Sequence, residues 1–75
     1  MTAFVLGMPD DVRGFALAGI PGCACTTAEQ LRGVGATLDP AEVGLLLVSS
    51  SVRSLSPEIF DELRRRFDLK LVVLP

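Results

Sequence analysis

The sequence predicts an α/β domain: a small three-layer parallel sheet of about four strands, in the order 2-1-3-4, carrying three helices. Three observations lead there. The runs Val43-Gly44-Leu45-Leu46-Leu47-Val48 and Leu71-Val72-Val73-Leu74 are continuously apolar rather than alternating, which marks strands buried on both faces, as in a parallel sheet covered on each side. Helix-like segments alternate with the strand-like ones, and the order β-α-β-α-β-α-β demands right-handed crossovers. With 75 residues the chain is a single domain, residues 1–75, with no room for a second.

Each element follows from local chemistry. Phe4-Val5-Leu6 is the first strand, stopped by Gly7 and Pro9,. Asp10 or Asp11 then supplies the N-cap of a helix from Val12 to Ala18, its carboxylate favoured by the helix dipole, and Gly19 stops it,. At about 100° per residue, Val12, Phe15, Ala16 and Gly19 share one face while Arg13 and Leu17 share the other, so Leu17 is an apolar residue facing outward,. Ile20-Pro21-Gly22 is a turn, and Cys23-Ala24-Cys25 a brief extended piece. Thr26 with Glu29 and Thr27 with Gln30 both fit the capping box,. Leu31, Val34 and Leu38 continue a helical stripe, but Gly33 and Gly35 each cost about 1 kcal/mol, which predicts a short or frayed second helix. Asp39-Pro40 turns the chain into the third strand, which ends at Ser49-Ser50-Ser51. Ser56-Pro57 opens the third helix with a capping serine and a proline at its first position,. Ile59, Phe60, Leu63 and Phe67 form its inner stripe, leaving Glu58, Asp61, Glu62 and Arg65 outside,. Leu71 to Leu74 closes the set, and the whole fits a flavodoxin-like or CheY-like arrangement,.

Composition excludes several functions. Net charge is -2 and the isoelectric point about 4.8, against the basic face that a nucleic-acid binder needs. Four Phe with no Trp or Tyr leave few stacking platforms for bases. No apolar run approaches the ~18 residues of a membrane span, and Met1-Thr2-Ala3 lacks the basic start of a signal peptide, so a cytoplasmic location is expected. Hydrophobic content of 49% and mean hydropathy of +0.50 place the chain far from the disordered regime. A domain this small is marginal and usually relies on a staple, a metal or a partner. Cys23 and Cys25 are too close in sequence to close a stabilising loop, and with no histidine a mixed Cys/His zinc site lacks ligands. No metal and no cofactor are expected, and a partner surface becomes the leading explanation.

Ligands of such folds bind at the carboxyl ends of the strands. After the first strand stands Gly7-Met8-Pro9-Asp10-Asp11, with one glycine where a dinucleotide fingerprint needs three and two carboxylates where a phosphate would sit. Paired acids there resemble response-regulator receivers, yet Ser49, Ser50 and Ser51 occupy the place of the phosphoacceptor aspartate. That leaves a receiver-like interaction module without phosphotransfer as an alternative function. Cys25-Thr26-Thr27 bears a faint likeness to the phosphocysteine loop of sugar-transport carriers, the remaining alternative. Cys23 and Cys25 share one strand face and could offer two thiolates to a soft metal, but nothing completes the shell. They read as small buried residues. Arg64-Arg65-Arg66 follows Asp61 and Glu62 at helical spacing and reads as a locally paired, solvated face,. With no nucleophile beside a base, no catalytic residue is expected.

The stretch Phe4 to Ile20, FVLGMPDDVRGFALAGI, closely resembles the start of the F subunit of V-type and archaeal-type rotary ATPases. That family opens with a strand, a glycine and an acidic turn, then a helix carrying G-F-x-L-A-G-I, matched by Gly14, Phe15, Leu17, Ala18, Gly19 and Ile20. Val43 to Val52 resembles its third strand and following turn, Leu55-Ser56-Pro57-Glu58-Ile59 the start of its third helix, and Leu71 to Pro75 its final strand. Ala16 stands where the family often has arginine, and Lys70 where it often has proline. The family continues past the fourth strand into a C-terminal helix that lies along the catalytic head; this sequence stops at Pro75 before that helix, as either a piece of a longer chain or a shortened homologue would. The resemblance implies a non-catalytic rotor subunit, with no cofactor, that binds the coiled-coil D subunit of the central stalk and helps couple ATP hydrolysis or synthesis to proton or sodium transport, with the catalytic head a further contact. The expected partner-binding residues are Met8, Asp10, Asp11, Arg13, Leu17, Ser50, Ser51 and Arg53. The fourth strand, as an unprotected edge, could also pair two copies in a homodimer.

Overall fold

Four parallel strands, β1 (Thr2–Gly7), β2 (Gly22–Ala24), β3 (Val43–Ser49) and β4 (Leu71–Leu74), lie in the order β2-β1-β3-β4 in a computed structural model that describes residues 2–75. Between them run α1 (Pro9–Leu17), α2 (Ala28–Thr37), α3 (Ser50–Leu55) and α4 (Pro57–Phe67), with a 3₁₀ turn over Asp68–Lys70 leading into β4. The predicted class and strand order are those observed.

Register divides the apolar residues between two faces, because side chains alternate along a strand. Leu6 pairs with Cys23 and Val48, Val48 with Val73, and Phe4 with Leu46, which pairs with Leu71. This face carries α2, α3 and α4, and its core joins Leu6, Leu46 and Val48 to Leu31, Val52, Phe60, Leu63 and Phe67. The opposite face holds Val5 paired with Leu47, and Leu47 paired with Val72. There α1 packs over β1 and β2.

Helix ends depart from the sequence reading in instructive ways. The first helix begins at Pro9, with Met8 rather than Asp10 or Asp11 at the N-cap and no side-chain cap. Proline at the first helical position presets φ and forces the preceding residue into extended backbone, so the two aspartates fall within the first turn. At the other end Gly19 takes φ +84°, the left-handed conformation that glycine adopts most readily. Its N–H donates to Ala16 O, and the Ile20 N–H to Phe15 O at 2.9 Å; together these close a Schellman motif. For α2 both threonines serve: Thr27 Oγ1 accepts from the Gln30 N–H at 3.1 Å, while Gln30 Oε1 accepts from the Thr26 N–H at 2.8 Å.

The expectation of a short or frayed second helix is corrected: α2 spans ten residues through both glycines. Gly35 lies against α4, where an added Cβ would stand 3.4 Å from Leu63 Cδ2, so the intrinsic penalty of glycine is offset by close helix packing. A short fourth helix, α3, was also not foreseen; Ser49 ends β3 and at once caps α3, its Oγ accepting from the Val52 N–H at 3.2 Å.

Arg66 departs from the local pairing expected of the arginine run. Its guanidinium donates to Gly35 O at 2.8 Å and also to Leu38 O. These carbonyls lie at the C-terminal end of α2, where a cation is favoured by both hydrogen bonding and the dipole. Nearby, Lys70 Nζ donates to Pro40 O at 2.7 Å, so two cations from the last third of the chain hold the α2–β3 connection. Arg66→Ala is expected to lower stability by about 2 kcal/mol, the scale of charge-assisted hydrogen bonds, with Arg66→Lys recovering part of it; urea midpoints measure both. Asp68 ends α4 at φ 50°, ψ -122°, a conformation unfavourable for a residue with a Cβ. Asp68→Gly should therefore raise stability by about 1 kcal/mol, read from the same unfolding curves.

Candidate functional site

The strand order reverses between β1 and β3, so the chain leaves the sheet at Gly7 and at Ser49 on neighbouring strands, the position where folds of this class bind ligands. Asp11 closes over the first of these exits: a Cβ on Gly7 would stand 3.0 Å from Asp11 Cβ. With Asp10 and Asp11 both in the first turn of α1, the helix end presents carboxylates where an anion would otherwise be held. At the second exit, Ser49 is buried and its hydroxyl is committed to capping α3. Ser50 and Ser51 are exposed. Among the described residues no buried side-chain nitrogen or oxygen lacks a partner, and no group of three or more His, Cys, Asp and Glu could hold a metal ion. Nor is any helix of these residues long and apolar enough to cross a membrane.

Both cysteines are free, and they lie on the α2–α4 face as their spacing predicts. Cys25 is wholly buried and Cys23 half-buried. Burial pushes the Cys25 thiol above its ordinary value, and Cys23 beside it adds to the effect. A raised thiol is a poor nucleophile at neutral pH, which suits a packing role.

The structure divides the residues expected to bind a partner. Met8 is half-buried against the core. Asp10, Asp11, Arg13 and Leu17 are exposed along α1, with Leu17 88% exposed. Ser50 and Ser51 lie at the same carboxyl edge of the sheet, one strand over. Arg53 turns to the other face, its guanidinium 5.2 Å from the centroid of the Phe60 ring, and so is parted from Leu17 by the sheet.

Sequence reasoning overlooked the flank of α1 and the floor beside it. Asp10, Asp11, Gly14, Phe15 and Ala18 line a shallow, open furrow of about 390 Å³. In a right-handed β1–α1–β2 crossover the flank bearing Asp11, Gly14 and Ala18 turns toward β3, not toward β2. The floor next to it is the β3–β4 half of the sheet, where Val72 is 43% exposed and Leu45 and Leu74 are half-buried. The prediction that β4 is buried on both faces is thus corrected: Leu71 and Val73 pack on the core, while Val72 has no helix over it. The available signal was topological, since this strand order with right-handed crossovers leaves the first helix by itself on one face.

Comparison with models of known protein families finds none that matches the chain, and comparison with curated proteins finds no match either.

The thiols give a measurable consequence. A native thiol pKa above the unfolded value means that the folded chain retains a proton the unfolded chain gives up. That stabilisation is complete below the ordinary thiol range and is lost as pH rises through and beyond it. We expect native Cys23 to react with an alkylating reagent ahead of Cys25, and the stability of the wild-type chain to fall above about pH 9 more steeply than that of Cys25→Ala, as followed by labelling mass spectrometry and by urea unfolding at several pH values.

Proposed function

We propose that this chain is a non-catalytic rotor subunit of a V-type or archaeal-type rotary ATPase, binding the coiled-coil D subunit of the central stalk and helping to couple ATP hydrolysis or synthesis to proton or sodium transport. The observation that carries the reading is how the string Gly14, Phe15, Leu17, Ala18, Gly19, Ile20 is used. Gly19 and Ile20 close the end of α1, and Phe15 is half-buried beneath it. Gly14, Leu17 and Ala18 are exposed and have no such structural duty, which is the pattern of a contact surface. Exposed Leu17 on a helix with no buried residue is the anchor for a helical partner. A rotor element of this kind needs a firm scaffold and an adhesive face, and it needs no chemistry of its own.

The test is direct association. Purified chain mixed with the isolated coiled-coil stalk subunit should co-elute at micromolar concentration. Leu17→Glu should weaken binding about tenfold or more with a change in stability of no more than about 0.5 kcal/mol. Absence of binding at concentrations well above micromolar would sink the proposal.

A further inference from the structure

We infer that the open half of the α1 face is the seat of one amphipathic helix supplied by a partner, lying alongside α1 with its N-terminus at the carboxyl edge of the sheet. The inference deepens the stalk reading and rests on it only for the identity of that partner.

Shape comes first. The uncovered strip is two strands wide, about 10 Å at the spacing of paired strands, which is the diameter of one helix. Its floor is Leu45, Val72 and Leu74, with buried Leu47 between them, brought to one side by the β3–β4 register. One wall already stands: α1 sits on the same face, and its flank toward the strip carries Gly14 and Ala18, one helical turn apart. Small residues at that spacing let a second helix approach closely, and the space beside Gly14 is open, since nothing lies within 4 Å of an added Cβ. Val72, 43% exposed, lies within the strip, and exposed Leu69 stands just before β4, while exposed Leu17 points outward from α1, away from the sheet,.

Charge chooses the occupant and its direction. Asp10 and Asp11 stand at the head of the furrow, so an incoming helix is favoured with its positive end, and any Lys or Arg of its first turn, beside them. A second copy of this chain is a poorer occupant. Pairing two β4 edges joins only four residues from each copy, well under the roughly 1,200 Å² of a stable interface, and it leaves Val72 and Leu74 uncovered, because edge pairing lies in the plane of the sheet.

The experiment follows backbone and methyl NMR of the intact chain against two probes: the isolated coiled-coil stalk subunit, and a synthetic helix of about fourteen residues, ~21 Å long, with a leucine stripe and two lysines in its first turn. The expected result is shifts concentrated on Gly14, Ala18, Leu45, Val72 and Leu74. Gly14→Leu, which blocks the wall, and Val72→Glu, which charges the floor, should each weaken binding at least about tenfold, while Arg32→Ser on the opposite face leaves it unchanged. If the peptide seats in the strip and the stalk subunit does not bind, the seat stands and the stalk reading falls. If the stalk subunit binds with its shifts on the α2–α4 face, the stalk reading stands and the seat is overturned. The seat is equally overturned if neither probe shifts the strip, if Gly14→Leu leaves both affinities intact, or if strip resonances move with protein concentration alone as a dimer forms.

Discussion

A parallel strand cannot reach its neighbour without crossing over, and the crossover is right-handed. In this chain that constraint decides nearly everything else. The first crossover steps from β1 to β2 in one direction, and the later ones step back past β1 to β3 and on to β4. Reversing the direction changes the face on which the connecting helix must lie. One face therefore receives α1, and the other receives α2, α3 and α4.

The energetics follow that division. The crowded face holds most of the core, including Phe60, Leu63 and Phe67 of α4 and Leu31 and Gly35 of α2. Helix packing there sets Gly35 of α2 against Leu63, and Arg66, one position before the last residue of the inner stripe of α4, satisfies carbonyls at the end of α2. The sparse face depends on Val5 and Leu47, both buried, and on a helix that buries no residue of its own. α1 rests on β1 and β2 through half-buried Val12 and Phe15, while its ends are set locally by a proline that starts it, a glycine that ends it, and two aspartates favoured by its dipole,. The outer surface of α1, where Leu17 is exposed, is the surface the proposed role would use.

Much of this was legible beforehand because it is local. The caps at Thr27 and Ser56 and the inner stripe of α4 are set by residues within a few positions of one another, and the strand at Leu71–Leu74 is set by its own continuous run. The outward position of Leu17 followed from helical periodicity. The departures have non-local causes. Gly33 and Gly35 argued against a full α2 because propensity takes no account of α4, whose Leu63 packs against the helix at Gly35. Helical spacing pairs Arg66 with neighbours in its own helix, whereas it reaches 31 positions back along the chain. Within the candidate site, Leu17, Asp10 and Asp11 were picked out, but Gly14 and Ala18 were not, since small residues carry no chemical signal until a wall and a floor meet beside them.

By itself, the sequence determined the class, the alternation of elements and the strand order, because these depend on periodicity, turn chemistry and residue inventory. Only the tertiary structure decided that a continuously apolar strand is covered on one side alone, and that Arg53 and Leu17 lie on opposite faces. The physical reason is the same in both cases. A run of valines and leucines records that a strand can be buried twice, while the number of helices available on each face, fixed by crossover handedness and chain length, decides whether it is.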